Sequence, residues 1–328
     1  MLRGLFWNAR ERRLRVVVRL VAQAALAVAL AVLPILLVAE PLTALHKRGR
    51  FLAALAKGPY DHVINMLVGP LVTVGIVASV VLAARFLDRR RLAELGLTLR
   101  GAAAELALGG ALGAALMAGV FAVEHALGWA GPPRLCEVRV PGVSLGLALA
   151  FTAVKALCIA PMEEAVSRGY HLVNLADALT RRLGPVRALG LAGALSSLVF
   201  ALLHGTTANL SGLSLLGLFV NGLLLAAGFL LSGRLALPIG LHAAWNFTEG
   251  AVFGFPVSGD LEAASLLSSA VNGPALLTGG AYGPEGGLIG MASMAVGIAA
   301  ILLWARIRHG RVAFRVEPGR ATERAAVG

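Results

Sequence analysis

The chain alternates between apolar runs of about twenty residues and short breaks rich in charge, glycine and proline. A helix rises 1.5 Å per residue, so a run of about twenty crosses the hydrocarbon core of a bilayer. The runs predict spans at residues 20–39, 63–84, 106–123, 143–183, 186–204, 213–231, 235–253 and 288–307. The fourth is much longer than the others and stops at Gly184-Pro185. Pro34 predicts a kink in the first. Residues 85–94, with four arginines, read as a basic interfacial helix. The pattern predicts an all-α fold, a polytopic membrane helical bundle with about eight transmembrane helices.

Composition strengthens this reading. The chain is 58% hydrophobic and 14% charged, with mean hydropathy +0.81. A soluble domain is about 45–50% apolar. The net charge of +12 would suggest nucleic acid in a soluble protein. Here the positives sit in the breaks and tails, where topology accounts for them, so no nucleic-acid partner is expected. Of 29 Lys and Arg, 21 fall in residues 1–19, 85–100, 181–187, 234 and 306–324, on one side of an eight-span chain. That bias predicts a multi-pass protein of the cell membrane with both termini cytoplasmic. The basic loop His46, Lys47, Arg48, Arg50 and Lys57 runs against it. The basic N-terminus precedes a long apolar run without a small-residue cleavage site, which reads as an uncleaved first span. Cys136 and Cys158 match no disulfide or metal framework. Three parts follow. Residues 1–142 hold a basic segment and three spans, 143–253 form a helical core, and 254–328 hold a Gly-rich outer loop, the last span and a basic tail.

Ionisable side chains in or beside a span are expensive and mark functional sites. Three helical pairs stand out: Glu163-Glu164-x-x-x-Arg168, Phe200-x-x-x-His204 and His242-x-x-x-Asn246. Residues four apart share a helix face, so Glu164 is placed to pair with Arg168. Glu163 lies about 100° around the helix and is the freer carboxylate. Such a carboxylate is a general base for water. Histidine relays protons, and an imidazole with an amide can stabilise an oxyanion. Together the groups suit peptide hydrolysis. Counted from the Gly184-Pro185 turn, Glu163 and His204 share a depth. His242 joins them only if that hairpin projects about 15–20 Å beyond the membrane. Each pair alone also has a structural reading, as an interfacial ion pair, a packed histidine, or hydrogen-bonded glue between helices.

The three motifs, in this order on successive spans, resemble the CPBP family, the CAAX protease and bacteriocin-processing intramembrane endopeptidases. The resemblance covers residues 143–253. It implies a membrane endopeptidase acting on a peptide or protein substrate at or in the lipid bilayer. Carried over by motif position, Glu163 is the general base and His204 holds the water. His242 and Asn246 form the oxyanion site, and Glu164, Arg168 and Phe200 support them. Family members usually carry an aromatic before the arginine, where this chain has Ser167. The favoured chemistry uses glutamate and water without a cofactor. The alternative makes Glu163, His204 and His242 zinc ligands, although no HExxH is present. A non-enzymatic immunity, scaffold or transport protein is the other alternative. A transporter predicts inverted repeats, and the sequence shows none.

Other polar residues carry weaker expectations. Lys155 should snorkel or pair with a carboxylate. Glu105 and Glu124 read as helix-end charges, and Asn221 as a helix–helix contact. His171, Asn174 and Glu249 are candidates to line a cavity. Residues 279–287 read as a flexible loop without the strand and helix context of a phosphate cradle.

Overall fold

The computed structural model describes residues 6–8, 13–39, 41 and 59–318. Arg3, Arg10, Arg12, the basic loop from His46 to Lys57, Arg320 and Arg324 lie outside the described residues. Six helices long and apolar enough to cross a membrane come first: α1 (Val16–Val38), α2 (Met66–Asp88), α3 (Ala102–Ala126), α4 (Leu145–Leu183), α5 (Pro185–Leu203) and α6 (Gly212–Ser232). Next is α7, which comprises Ala236–Phe247 and a wider π-helical end, Thr248–Val252. It rises about 26 Å, short for a span but sufficient where the bilayer thins. A further membrane-length helix, α8 (Leu288–His309), follows. The protein is an all-α multi-pass membrane bundle. The basic stretch after α2 differs from the expected helix: α2 itself runs to Asp88, and one 3₁₀ turn, Leu92–Leu95, follows.

Local chemistry sets the helix ends. Ser144 and Ser211 accept hydrogen bonds from the backbone N–H of Leu147 and Ser214, capping α4 and α6. Pro185 opens α5, where its missing N–H costs nothing. The periphery is apolar: Val17, Val21, Val28 and Leu36 on α1 are exposed, as a lipid-facing surface requires.

The position of α7 matters most for the site. It packs against α3, α4 and α6. A Cβ on Gly109 or Gly240 would lie 2.1 Å from the carbonyl oxygen of Leu237 or Leu106 respectively. Only glycine lets α3 and α7 approach so closely, as small residues do between membrane helices. This contact seats the His242 face of α7 against α4 and α6.

Arg90, Arg181, Arg182, Arg234 and Arg306 mark one end of the bundle, called here the basic end. At that end Gly169 of α4 lies against the carbonyl oxygen of Leu95 and the side chain of Leu235, both in connections between spans. From Gly169 to Leu183, α4 continues for about 21 Å beyond that level. α4 therefore runs well past the connections at Leu95 and Leu235 before it turns at Gly184-Pro185. Buried ion pairs hold it: Arg19 to Asp88, and Arg90 and Arg13 to Asp177. Asn174 accepts from Arg19 at 2.6 Å and donates to the Tyr170 carbonyl, so it ties α4 to α1 instead of lining a cavity.

The opposite end is capped. β1 (Arg134–Val138) and β2 (Ala264–Ser268) form an antiparallel ribbon with Leu135 opposite Leu267. Residues 279–287, expected to be flexible, instead pack into the bundle, with Tyr282 and Glu285 each 2% exposed. A Cβ on Gly217 of α6 would lie 1.9 Å from the Glu285 carbonyl oxygen, so the loop's backbone meets the helix directly.

Candidate active site

The central unit is built on α4. Glu164 is the last α-helical residue before a π-helical stretch, Ala165–Leu172, that contains Arg168. Such widened turns often occur at functional sites. Glu164 and Arg168 are both completely buried. Arg168 donates to Glu164 Oε1 at 2.9 Å and to the Gly222 carbonyl of α6 at 3.1 Å. Its guanidinium lies 4.5 Å from the centre of the Phe200 ring. One cation thus joins three helices by an ion pair, a carbonyl and an aromatic face.

His242 joins the same unit from α7. Its Nδ1 lies 3.0 Å from Glu164 Oε1, which sets the proton on Nδ1 to donate to the carboxylate. Its other nitrogen, Nε2, lies 3.9 Å from Glu163 Oε2. Glu163 is the more open of the two carboxylates, with a 25% exposed side chain, and Oε2 has no hydrogen-bond partner. The division expected from helical spacing holds in space. Glu164 is fixed by Arg168, and Glu163 meets the other nitrogen of the His242 ring without a hydrogen bond on Oε2.

The remaining expected residues lie further toward the capped end. His204 stands one turn beyond Phe200, at the end of α5. Its Nδ1 is 2.9 Å from the Phe200 carbonyl, which leaves Nε2 as the acceptor in the neutral ring. Its ring lies 4.8 Å from that of Phe200, and the His242 ring lies 6.3 Å from the same phenyl. Phe200 therefore packs against both imidazoles. His204 makes no ion pair with Glu163 within 4 Å among the described residues. Asn246 is half-buried, one turn beyond His242 on α7.

Three acids lie outside the expected set. Glu124 and Glu249 are completely buried and Glu285 nearly so. Glu124 sits in the last turn of α3, the helix-end position expected, and is covered there. Glu285 Oε1 accepts from both the backbone N–H and the hydroxyl of Ser258 at 2.6 Å. Burial pushes the Glu285 carboxyl up, while Ser258, His204 and His242 oppose that rise. Only the position of Glu249, seven residues past His242 on a similar helical face, signalled any of the three.

Beside Met162 an apolar cavity of about 500 Å³ lies between α2 and α4, lined also by Met66, Phe151 and Cys158. At its rim Lys155 pairs with Glu262 at 2.7 Å. This is the carboxylate pairing expected for Lys155. Among the described residues no three His, Cys, Asp or Glu side chains converge closely enough to hold a metal ion. Glu163, His204 and His242 are not among any such set in this arrangement.

Residues 144–248 match the family of type II CAAX prenyl endopeptidases described as Rce1-like. The match includes the Glu163/Glu164/Arg168, Phe200/His204 and His242/Asn246 motifs, in agreement with the CPBP resemblance. No curated protein and no solved structure matches the chain.

Proposed function

We propose that this membrane protein, whose residues 144–248 carry an Rce1-like CAAX endopeptidase domain, hydrolyses peptide bonds of membrane-associated peptides or proteins with water activated by Glu163. One observation carries the reading: His242 meets fixed Glu164 through Nδ1 and approaches free Glu163 through Nε2. A buried unit of that kind orients a base and a hydrogen-bond donor toward one point.

Glu163 takes one proton from water as the water oxygen bonds to the scissile carbonyl carbon. His204 Nε2 accepts the water's other hydrogen and aligns a lone pair for attack. The carbonyl oxygen becomes an oxyanion, met by the Asn246 amide and by His242 Nε2–H in the imidazolium form, whose charge Glu164 balances. When the C–N bond breaks, Glu163 returns its proton to the leaving amine. The products are a carboxylic acid and an amine, and Glu163 is regenerated.

The apolar cavity beside Met162 suits the lipid-embedded part of a substrate. The charge bias supports a cell-membrane orientation with the basic end and both termini on the cytoplasmic side. No metal or other cofactor takes part in the proposed step.

The test compares membrane peptides in cells carrying wild type or Glu163→Ala at equal abundance. The proposal expects a set of C-terminal fragments present only with wild type. Identical peptide profiles would overturn it.

A further inference from the structure

At the basic end, the stretch that closes α2 divides its arginines between two roles. Ala83–Asp88 is π-helical, and Arg89 ends it in the left-handed conformation, with φ of 54°. The N–H groups of Arg89 and Arg90 both donate to the Ala84 carbonyl. Arg90 points inward. It is 4% exposed and pairs with Asp177 of α4 and, at 3.9 Å, with Glu94. Asp88 is buried against Arg19. The acids of this region are therefore held by Arg13, Arg19 and Arg90.

Arg85, Arg89 and Arg91 are exposed instead. Among the described residues none of the three has a carboxylate within 4 Å. With Arg90 they surround a depression of about 380 Å³ whose apolar part is Val81 and Leu92. The outer surface of α2 leads into it. Leu67, Leu71 and Val74 are exposed toward lipid, and Phe86 beside the depression is 72% exposed. Val81 stands one helical turn before Arg85, so the apolar surface passes directly into the basic one.

Guanidinium groups stay charged and match the geometry of phosphate oxygens. Three of them without a carboxylate, over an apolar floor at the end of a membrane span, fit an amphiphile with a phosphate head. A free phosphate ion would gain nothing from Val81, Leu92 or Phe86. The backbone at Arg89 is a second, independent sign. Helices that end in the left-handed conformation usually place glycine there, because a side chain strains it. Such strain concentrates at ligand clamps, and here the strained residue lines the depression.

We propose that this depression binds the headgroup phosphate of one anionic phospholipid in the leaflet at the basic end. Arg85, Arg89 and Arg91 hold the phosphate, and Val81 and Leu92 meet the start of the acyl chains. The inference does not rest on the endopeptidase reading.

Purified full-length protein in detergent micelles is titrated with phosphatidylglycerol or phosphatidylcholine, and native mass spectrometry counts the lipid retained per chain. Wild type should retain one phosphatidylglycerol at least about tenfold more tightly than phosphatidylcholine. One arginine near an anionic membrane surface is worth about fivefold in binding, so Arg85→Gln with Arg91→Gln should weaken phosphatidylglycerol about twentyfold or more. Arg181→Gln with Arg182→Gln removes the same charge from exposed positions at the same end and should weaken it less than about threefold. Arg89→Gly separates binding from folding. Glycine suits a φ of 54°, so the melting temperature should equal or exceed that of wild type. Phosphatidylglycerol binding should nevertheless fall about fivefold. Inorganic phosphate and glycerophosphoglycerol, the same headgroup without acyl chains, should fail to displace the lipid at about a hundredfold excess. Equal retention of the two lipids, an equal loss from the Arg181 and Arg182 pair, or wild-type binding in Arg89→Gly would overturn the inference. Displacement by either soluble phosphate would also overturn it, in favour of a soluble ligand.

Discussion

Replacing Arg168 with methionine tests the unit on which the site is built. Methionine fills similar volume and removes the charge. The variant loses the 2.9 Å bond to Glu164, the 3.1 Å bond to the Gly222 carbonyl and the contact over the Phe200 ring. Its larger effect falls on Glu164, a completely buried carboxylate left with only His242. Breaking a buried pair from one side costs about 3–5 kcal/mol. That is about two to three and a half powers of ten in the folded-to-unfolded ratio. Glu164→Gln should cost a similar amount, since it strands the guanidinium. The double variant should cost no more than either single one, because neither charge is left uncompensated. Unfolding in mixed micelles, followed by far-ultraviolet circular dichroism against denaturing detergent, measures all three. Single variants within about 1 kcal/mol of wild type, or a double variant equal to the sum of the singles, would refute a coupled buried unit.

Three further outcomes follow from other parts of the structure. Gly217→Ala places a methyl 1.9 Å from the Glu285 carbonyl oxygen and should destabilise the protein by about 1–3 kcal/mol, with a parallel loss of activity, read from thermal melts and turnover. Prolonged chelation should leave turnover unchanged, and elemental analysis of active protein should find well under one zinc per chain. On β1, a hydrogen bond from Ser268 and then the charges of Arg139 and Arg134 hold the Glu137 carboxyl below its usual range. Its contribution is complete above the ordinary carboxylate range and is lost as pH falls through the depressed folded value. Glu137→Gln should therefore lower stability at neutral pH, match wild type at low pH, and so flatten the acid limb of the melting curve.

Much of this architecture was legible in the sequence because membrane spans are long and uniform. The fifth, sixth and seventh spans lie within one residue of their expected ends. The long fourth helix and its stop at Gly184-Pro185 followed from the extended run and the Gly-Pro signal. Helical spacing also assigned Glu164 to Arg168 and left Glu163 free, although the π-helical turn there changes the pitch. That turn has no simple sequence signature. The capped end was misread for a different reason. Within the Gly/Ser-rich stretch 254–287, residues 279–287 looked flexible because glycine is common there. Their order comes from partners far away in sequence: β2 pairs with β1 across 130 residues, and Glu285 meets Gly217 of α6. The glycines that suggested freedom permit close backbone contact. Glu124 stands near a helix end as expected, but its burial depends on neighbouring helices that the sequence does not show.

The central claim is that Glu163 activates water for peptide hydrolysis. The most direct measurement reconstitutes the purified protein in liposomes with a membrane-tethered peptide pool in H₂¹⁸O and analyses the products by mass spectrometry. The account predicts fragments whose new C-terminal carboxyl carries one ¹⁸O. It also predicts that Glu163→Gln, folded to the same melting temperature, loses about a hundredfold or more of that signal. Labelled fragments at the wild-type rate from Glu163→Gln, or no labelled fragments from wild type, would contradict it.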